Sequence, residues 1–192
     1  MKIAILTPTF VQFSGIDRVV ELQAEDFIKR GNDVTVFCLK GNLKTKARVI
    51  ELGMPKNPFL ERIYRLFFFL DYFKINKHVK KLKDFDLIIS HLYPMNILAA
   101  KAKKKYRVRY VFHNHGVGIG EYTFFEVIYL RLFNLFTNLT IKNCDYVVSI
   151  SKYLADVLEK ETRIKSRKIV YDKIDTTRFQ IRTLIPFCKR IR

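Results

Sequence analysis

Short apolar runs alternate with longer amphipathic segments along most of this chain, and this alternation limits the fold more than any other feature. Runs such as KIAILT (2–7), VTVFCL (34–39) and FDLIIS (85–90) suit strands that are buried on both faces of a sheet. Between the first two runs, apolar residues recur at helical spacing from Ile16 to Ile28. Two strands joined by one helix predict a right-handed βαβ unit.

The same pattern continues to about residue 172. Further strands are predicted in four runs: 47–52, 109–115, 144–151 and 168–172. One long helix is predicted from about Leu60 to Leu82, and three shorter ones over 96–106, 122–139 and 152–161. This order predicts an α/β fold, in which residues 1–179 form one Rossmann-like domain with a doubly wound, mostly parallel sheet. Residues 180–192 read as an atypical tail.

The chain carries a net charge of +18, which favours an anionic partner. Nucleotide phosphates and anionic membrane headgroups are the candidates, whereas nucleic acid is not favoured because no recognised nucleic-acid-binding module is present. A solvated, lysine-rich surface without such a partner explains the charge equally well. The predicted long helix places an apolar and aromatic stripe beside a face of lysine and arginine. This helix therefore either packs against the sheet or lies on a membrane surface, and both interpretations stay open.

Cysteine and hydropathy patterns argue against several other classes. Cys38, Cys144 and Cys188 are far apart and have no histidine at metal-ligand spacing, so no metal site is expected. The apolar run at the N-terminus is too short for a signal peptide, and no run of about 18 uncharged apolar residues follows. We expect a cytoplasmic protein with reduced thiols. Peripheral attachment to the inner face of the cell membrane is compatible with that location.

The turn after the first strand bears on the kind of nucleotide that the domain would bind. An NAD-binding domain carries three spaced glycines there and an acidic residue after the second strand. This turn has only Gly15, Lys40 follows the second strand, and the GVGIG run at 116–120 comes too late to be diagnostic. Ser14 and Gly15 at a helix N-terminus allow phosphate oxygens to approach backbone N–H groups. A tight turn without a ligand explains the same residues equally well.

Five motifs follow one another in an order that is familiar from one family. They are SGIDRVVELQAEDFIKRGNDVTVF, DLIISHLY, VFHNHG, CDYVVSISKYLADVL and KIVYDKIDTTRF. The chain resembles the retaining GT-B glycosyltransferases of family four over residues 2–179. The resemblance implies the N-terminal, acceptor-side domain of an enzyme that transfers a sugar from a nucleotide-sugar to a glycan or lipid-linked acceptor. It implies no cofactor, because the nucleotide-sugar is a substrate.

The resemblance also implies site residues. His115 corresponds to the family histidine that contacts the donor sugar in the cleft between the two domains. Ser14, Gly15 and Arg18 lie on the side of the cleft that faces the donor diphosphate. For Arg18, binding of an anion and pairing with a surface carboxylate are equally open.

Three other polar residues near the motifs are expected to be structural. His91 and His113 are expected to be hydrogen-bonded groups of the fold. Ser151 lies between a predicted strand and a predicted helix, which is the position of a helix N-cap.

The family's donor-binding domain carries two glutamates separated by seven residues, and this sequence contains no such pair. We therefore expect the donor-binding domain to be absent and the chain to be inactive alone. A chain shortened by a premature stop and a chain that works with a separate donor-binding subunit both fit that expectation. The alternative from another class is a non-catalytic basic domain that binds a membrane surface or a partner subunit.

Overall fold

The computed structural model describes residues 1–11, 14–116 and 123–172. Seven strands form one sheet in this part of the chain: β1 (Lys2–Phe10), β2 (Asp33–Gly41), β3 (Arg48–Glu51), β4 (Leu87–Ser90), β5 (Arg109–Asn114), β6 (Tyr146–Ser149) and β7 (Lys168–Ile169). Their order is β3-β2-β1-β4-β5-β6-β7, and every neighbouring pair is parallel. The prediction of a doubly wound, parallel α/β sheet is confirmed.

Six α-helices accompany these strands: α1 (Gly15–Lys29), α2 (Pro58–Leu66), α3 (Tyr72–Lys81), α4 (Asn96–Tyr106), α5 (Phe124–Ile141) and α6 (Lys152–Thr162). Ser151 caps α6, because its side chain accepts a hydrogen bond from the Leu154 N–H at 3.2 Å. The predicted N-cap is thus confirmed. None of the helices that the structure describes has the length and apolar character that a bilayer crossing requires.

Alternate residues of the central strands bury their side chains on opposite faces of the sheet. In β1, Ala4 and Leu6 belong to the core that packs under α3 and α4, whereas Ile3 and Ile5 face the core under α1. All four are at most 2% exposed. Burial on both faces explains why these strands read as continuous apolar runs in the sequence.

The predicted long helix from Leu60 to Leu82 is wrong, because the segment forms two helices with a 3₁₀ turn, Phe68–Leu70, between them. Asp71 causes the break. Its Oδ1 accepts a hydrogen bond from the Lys74 N–H at 3.1 Å and caps α3, and its Oδ2 accepts one from the Tyr64 hydroxyl at 2.8 Å. Local side-chain bonds of this kind compete with the helical ladder.

The strand order reverses beside β1, which lies between β2 and β4. In open parallel sheets, ligands bind outside the carboxyl ends of the strands at such a reversal. Here that edge is formed by the end of β1, by His91 directly after β4, and by the end of β5. The helix α1 begins at the same edge, since it follows β1.

Candidate active site

The N-terminus of α1 presents backbone donors at the carboxyl edge of the sheet. Ser14 caps the helix, with its Oγ accepting from the Asp17 N–H at 3.4 Å and its carbonyl accepting from the Arg18 N–H at 3.1 Å. The N–H groups of Gly15 and Ile16 find no acceptor among the described residues. A Cβ placed on Gly15 would meet no atom of the described chain within 4 Å. The turn therefore offers two N–H groups and open space, which is what an anion requires.

A buried carboxylate holds this turn against the end of β1. Asp17 is 1% exposed, and it accepts hydrogen bonds from the Thr9 hydroxyl at 3.1 Å and from the Val11 N–H at 3.0 Å. Burial raises the pKa of the Asp17 carboxyl, although these hydrogen bonds oppose the rise. Sequence analysis did not single out Asp17, but an acidic residue in the first turn of a helix after a strand was a usable signal.

Arg18 forms an ion pair with Glu21, one helical turn further along α1. The Arg18 side chain is 28% exposed, so its guanidinium is partly open to solvent. Of the two alternatives left open for Arg18, the structure shows a carboxylate pairing. Contact of Arg18 with a donor diphosphate stays a prediction.

Three histidines meet where β4 and β5 end. The His91 Nδ1 lies 2.7 Å from the His115 Nε2, which is a hydrogen-bonding distance. The ring of His113 has its centroid 4.5 Å from that of His115 and 5.0 Å from that of His91. Sequence analysis expected only His115 to act in the site; the structure places all three side chains together.

Two oxygen acceptors lie outside this histidine cluster of His91, His113 and His115. The Gln23 Oε1 on α1 accepts from the His91 Nε2 at 3.0 Å. The Asp172 Oδ2 lies 3.7 Å from the His115 Nδ1. The His113 Nε2 is buried and has no hydrogen-bond partner among the described residues. Gln23 and Asp172 were not predicted, because only the folded arrangement brings them near the histidines.

Burial controls the charge of two of these imidazoles. It lowers the pKa of His91 well below its ordinary value, and the neighbouring imidazoles of His115 and His113 act in the same direction. Burial likewise lowers the pKa of His113 to about 4. Both side chains are therefore neutral near pH 7 and can each use a ring nitrogen lone pair.

The backbone after β5 is fixed by a glycine. Gly116 has a φ of +73°, and its N–H donates to the Asn114 Oδ1 at 3.0 Å. A Cβ at Gly116 would come within 2.4 Å of the Leu154 Cδ2. The left-handed conformation directly after His115 thus favours glycine. Of the GVGIG run, the remaining residues, 117–120, lie outside the described part of the chain.

The predicted site residues share one edge of the sheet but form two groups. Ser14, Gly15 and Arg18 lie in the first turn of α1. The histidine cluster touches α1 at Gln23, eight residues after Gly15 and therefore roughly 12 Å further along the helix. A ligand that contacts both groups must extend along α1.

Burial makes the described cysteines poor nucleophiles. Burial raises the pKa of the Cys38 thiol to about 12 and that of the Cys144 thiol to about 11. Neither thiol forms a disulfide in the structure. Cys188 lies outside the described residues.

The fold and its edge place the protein in a class: an α/β domain that matches the N-terminal domains of GT-B glycosyltransferases. It is similar to Anabaena Alr3699/HepE in complex with UDP-glucose, with a TM-score of 0.67, 15% identity, and coverage of 100% of this chain and 50% of that one. It is also similar to WaaG, a glycosyltransferase involved in lipopolysaccharide biosynthesis, with a TM-score of 0.59, 11% identity, and coverage of 98% and 50%. At these identities the likeness shows the fold alone.

Residues 13–178 match the family described as Glycosyltransferase Family 4. The chain belongs to glycosyltransferase family 4, and the resemblance that its motifs indicated is confirmed. No curated protein sequence matches it. The chain spans about half the length of HepE and WaaG. The chain is also similar to a sucrose-phosphate synthase structure from Thermosynechococcus elongatus, with a TM-score of 0.57 and 16% identity. That match covers 99% of this chain and 98% of the other.

Proposed function

We propose that this domain forms the acceptor-side half of a retaining glycosyltransferase, which moves a sugar from a nucleotide-sugar donor to a glycan or lipid-linked acceptor. One observation carries the proposal. In a family 4 domain, the edge where the strand order reverses joins an open helix N-terminus at Gly15 to a buried histidine cluster that includes His115. The open helix N-terminus would bind the diphosphate of the donor, and the histidine cluster would contact its sugar.

The chemistry of glycosyl transfer sets what each group would do. As the bond to the sugar breaks, negative charge grows on the leaving diphosphate, so donors aimed at that charge accelerate the reaction. The N–H groups of Gly15 and Ile16, at the positive end of the α1 dipole, would stabilise it. His115 would hydrogen-bond a hydroxyl of the donor sugar and fix its orientation.

We further propose that residues 1–192 alone do not turn over a donor and that a donor-binding unit completes the cleft. Two facts support this: HepE and WaaG are about twice as long as the matched chain, and the paired glutamates of the family are not in this sequence. The donor-binding unit would face the α1 N-terminus across the cleft. A separate subunit is one form that such a unit could take.

A chimera tests this function directly. Residues 1–172 would be joined to the second half of HepE, whose structure was solved with UDP-glucose. We expect the isolated chain to release no UDP from UDP-glucose, and the chimera to release it. Gly15→Val would fill the space proposed for the diphosphate, and His115→Ala would remove a hydrogen bond to the donor sugar. Each should lower the chimera's rate at least ~10-fold, since one oriented hydrogen bond in a transition state has that effect or more. Tyr153→Ser, which changes an exposed side chain of α6, is the control. A chimera that binds UDP but never cleaves UDP-glucose would contradict the proposal, as would turnover by the isolated chain.

A second candidate function rests on a different part of the molecule. The segment from Phe67 to Phe73, which we call the aromatic segment, exposes five large apolar side chains. Their exposed fractions are high for such residues: Phe67 43%, Phe69 37%, Leu70 70%, Tyr72 61% and Phe73 88%. Clustered exposed apolar side chains mark a surface that another body covers. We propose that the aromatic segment and the basic residues around it attach the domain peripherally to an anionic membrane surface.

The charge around the aromatic segment supports this choice of partner. Arg62, Lys77 and Lys80 are exposed on α2 and α3, and the Lys101 Nζ lies 5.2 Å from the centre of the Tyr72 ring. Each basic residue near an anionic bilayer contributes about 1 kcal/mol to binding. Of the two alternatives for this region, packing against the sheet holds for Phe68, Ile75 and Val79, which lie in the core. The exposure of the aromatic segment around Asp71 supports the proposal that this part lies on a membrane surface.

Vesicle sedimentation separates this function from the first. We expect the chain to sediment with vesicles that contain phosphatidylglycerol and to remain in the supernatant with vesicles of pure phosphatidylcholine. Leu70→Ser with Phe73→Ser should weaken binding at least ~10-fold, because each buried apolar side chain is worth about 1.5–3 kcal/mol. Tyr153→Ser removes an equally exposed ring from α6 and should change nothing. Equal binding by the double variant and this control would refute membrane attachment through the aromatic segment.

A further inference from the structure

The histidine cluster has the composition of a metal site. His91 follows β4, and His113 and His115 lie two residues apart at the end of β5. The parallel pairing of these strands puts Ser90 opposite Phe112, so His91 and His113 are neighbours across the strands. One nitrogen from each ring lies within 4.8 Å of the others. Three imidazoles with a fourth open position are a familiar ligand set for zinc and similar ions.

The hydrogen bonds around the cluster are better satisfied by a cation than without one. The His91 Nε2–H donates to Gln23, so the Nδ1 of a neutral His91 is an acceptor and the His115 Nε2 must donate to it. A neutral His115 then turns an unprotonated Nδ1 toward the Asp172 carboxylate, and these two acceptors repel. The contact between His115 and Asp172 is therefore favourable only when the cluster takes up a cation, which is either a second proton on His115 or a metal ion.

A metal ion between the facing nitrogens removes this conflict. With the ion on the His91 Nδ1 and the His115 Nε2, each outer nitrogen carries a hydrogen and faces an oxygen, on Gln23 and Asp172 respectively. Such outer oxygen acceptors are the usual support of metal-bound histidines. The His113 imidazole, whose Nε2 has no partner among the described residues, supplies the third nitrogen of the group.

We propose that His91, His113 and His115 form a binding site for one divalent transition-metal ion of the zinc class. Tetrahedral ligands at zinc distances lie about 3.3 Å apart, so the facing nitrogens of His91 and His115 would separate by about 0.6 Å from their present 2.7 Å. Small rotations of the His91 and His115 rings, which lie just after strands β4 and β5, would produce a separation of this size. The inference goes beyond the proposed function and competes with it for His115, because a metal-bound His115 that also donates to Asp172 has no nitrogen left for a sugar hydroxyl. Metal binding is measured without donor or acceptor, so the two proposals are tested separately.

An entry path and a fourth ligand position are available beside the cluster. A cavity of about 420 Å³ lies between α1 and the segment after β7, and Gln23, His113 and Asp172 are among its lining residues. His113 therefore connects the cluster to this cavity. A water molecule or an oxygen of a substrate that enters the cavity would complete the coordination of the ion.

Cobalt provides the test, because Co²⁺ takes zinc sites and its visible absorption reports on tetrahedral coordination. The full chain is prepared without a histidine tag, freed of metal with a chelator, and titrated with Co²⁺ and then Zn²⁺. We expect one Co²⁺ per chain with intense visible bands, and displacement by Zn²⁺. His113→Gln should weaken binding at least ~100-fold, and Gln23→Ala by ~10–100-fold through loss of support for His91.

The matched control is His78→Gln, which removes a buried histidine of α3 outside the cluster and should leave Co²⁺ binding unchanged. Circular dichroism checks that each variant is folded. Should His113→Gln fail to fold, X-ray absorption of the cobalt-loaded wild type replaces it, with three imidazole ligands expected. Absence of stoichiometric binding, binding by His113→Gln equal to that of wild type, or cysteine sulfur in the coordination shell would overturn the proposal.

Discussion

The carboxyl edge of the sheet and the aromatic segment depart from the usual burial pattern in opposite ways. At the edge, polar side chains such as Asp17 and His91 are almost fully buried. In the aromatic segment, Leu70 and Phe73 are mostly exposed. Buried polar groups and exposed apolar ones are the observations that need an explanation in a folded protein. The difference supports two separate proposals: that the edge binds a ligand within the fold, and that another body covers the aromatic segment at the surface.

Four predictions probe that comparison, starting with the largest effect. His78 is buried in α3, next to the aromatic segment, and burial lowers its pKa to about 4, with Lys81, Lys77 and Lys74 acting in the same direction. An unfolded histidine titrates near 6.5, so the unfolded state binds more protons between pH 6.5 and 4. The contribution of His78 is therefore complete above pH 6.5 and is lost as the pH falls to 4.

The expected loss from His78 is on the order of 3 kcal/mol in the free energy of unfolding across that range. Urea unfolding of wild type and His78→Gln at pH 7, 5.5 and 4 measures it. The variant should show a shallower fall than wild type. If the free energy of unfolding falls equally with pH in both proteins, the fold does not hold His78 neutral. Its side chain would then be less buried than the structure shows.

Asp17→Ala should be the next largest change. The substitution removes the acceptor of the Thr9 hydroxyl and the Val11 N–H at the carboxyl edge, and unpartnered buried donors cost about 2 kcal/mol in the free energy of unfolding. Asp17→Asn keeps one oxygen acceptor and should cost less than about 1 kcal/mol. Chemical denaturation at pH 7 tests both, and equal losses in the two variants would show that the hydrogen bonds do not hold the edge.

Asp71→Ala examines the break that leaves the aromatic segment exposed. It removes the cap of α3 and the acceptor of the Tyr64 hydroxyl, with an expected loss of about 1.5 kcal/mol. Asp84→Ala, an exposed residue after α3, should lie within about 0.5 kcal/mol of wild type. If Asp71→Ala is as stable as that control, the helix is broken by something other than this carboxylate.

The smallest effect is expected at Gly15. A Cβ there meets nothing within 4 Å in the described chain, so Gly15→Ala should leave stability unchanged to within about 0.5 kcal/mol. Gly31, after α1, has a φ of +78°, so Gly31→Ala should cost about 1 kcal/mol. Thermal unfolding compares the two. A clear loss in Gly15→Ala would mean that the space is not open to a ligand.

The sequence predicts the sheet far better than the site. All seven strands of the described sheet overlap predicted runs, and burial on both faces makes the central strands β1, β2 and β4 apolar, whereas β3 and β7 at the two ends of the sheet are more exposed. The helix at 96–106 was placed correctly. The error at Leu60–Leu82 arose because helical periodicity continues through Asp71 while its side chain bonds to Tyr64 and to the Lys74 N–H. The histidine cluster depends on the register of β4 and β5, which no local pattern encodes. One signal was available but unused: His113 and His115 are two residues apart at the end of a predicted strand, and such residues lie on the same face.

The most direct measurement of the central claim is backbone-amide NMR of the chimera of residues 1–172 with the second half of HepE, with two ligands in turn, because the isolated chain is proposed to lack the donor-binding unit. UDP-glucose should shift the amide signals of Gly15 and Ile16 and leave those of the aromatic segment, from Phe67 to Phe73, unchanged. Bicelles that contain phosphatidylglycerol should do the reverse, and free glucose should shift neither set at the same concentration. Shifts from UDP-glucose that fall on the aromatic segment, or that miss the first turn of α1, would contradict the account.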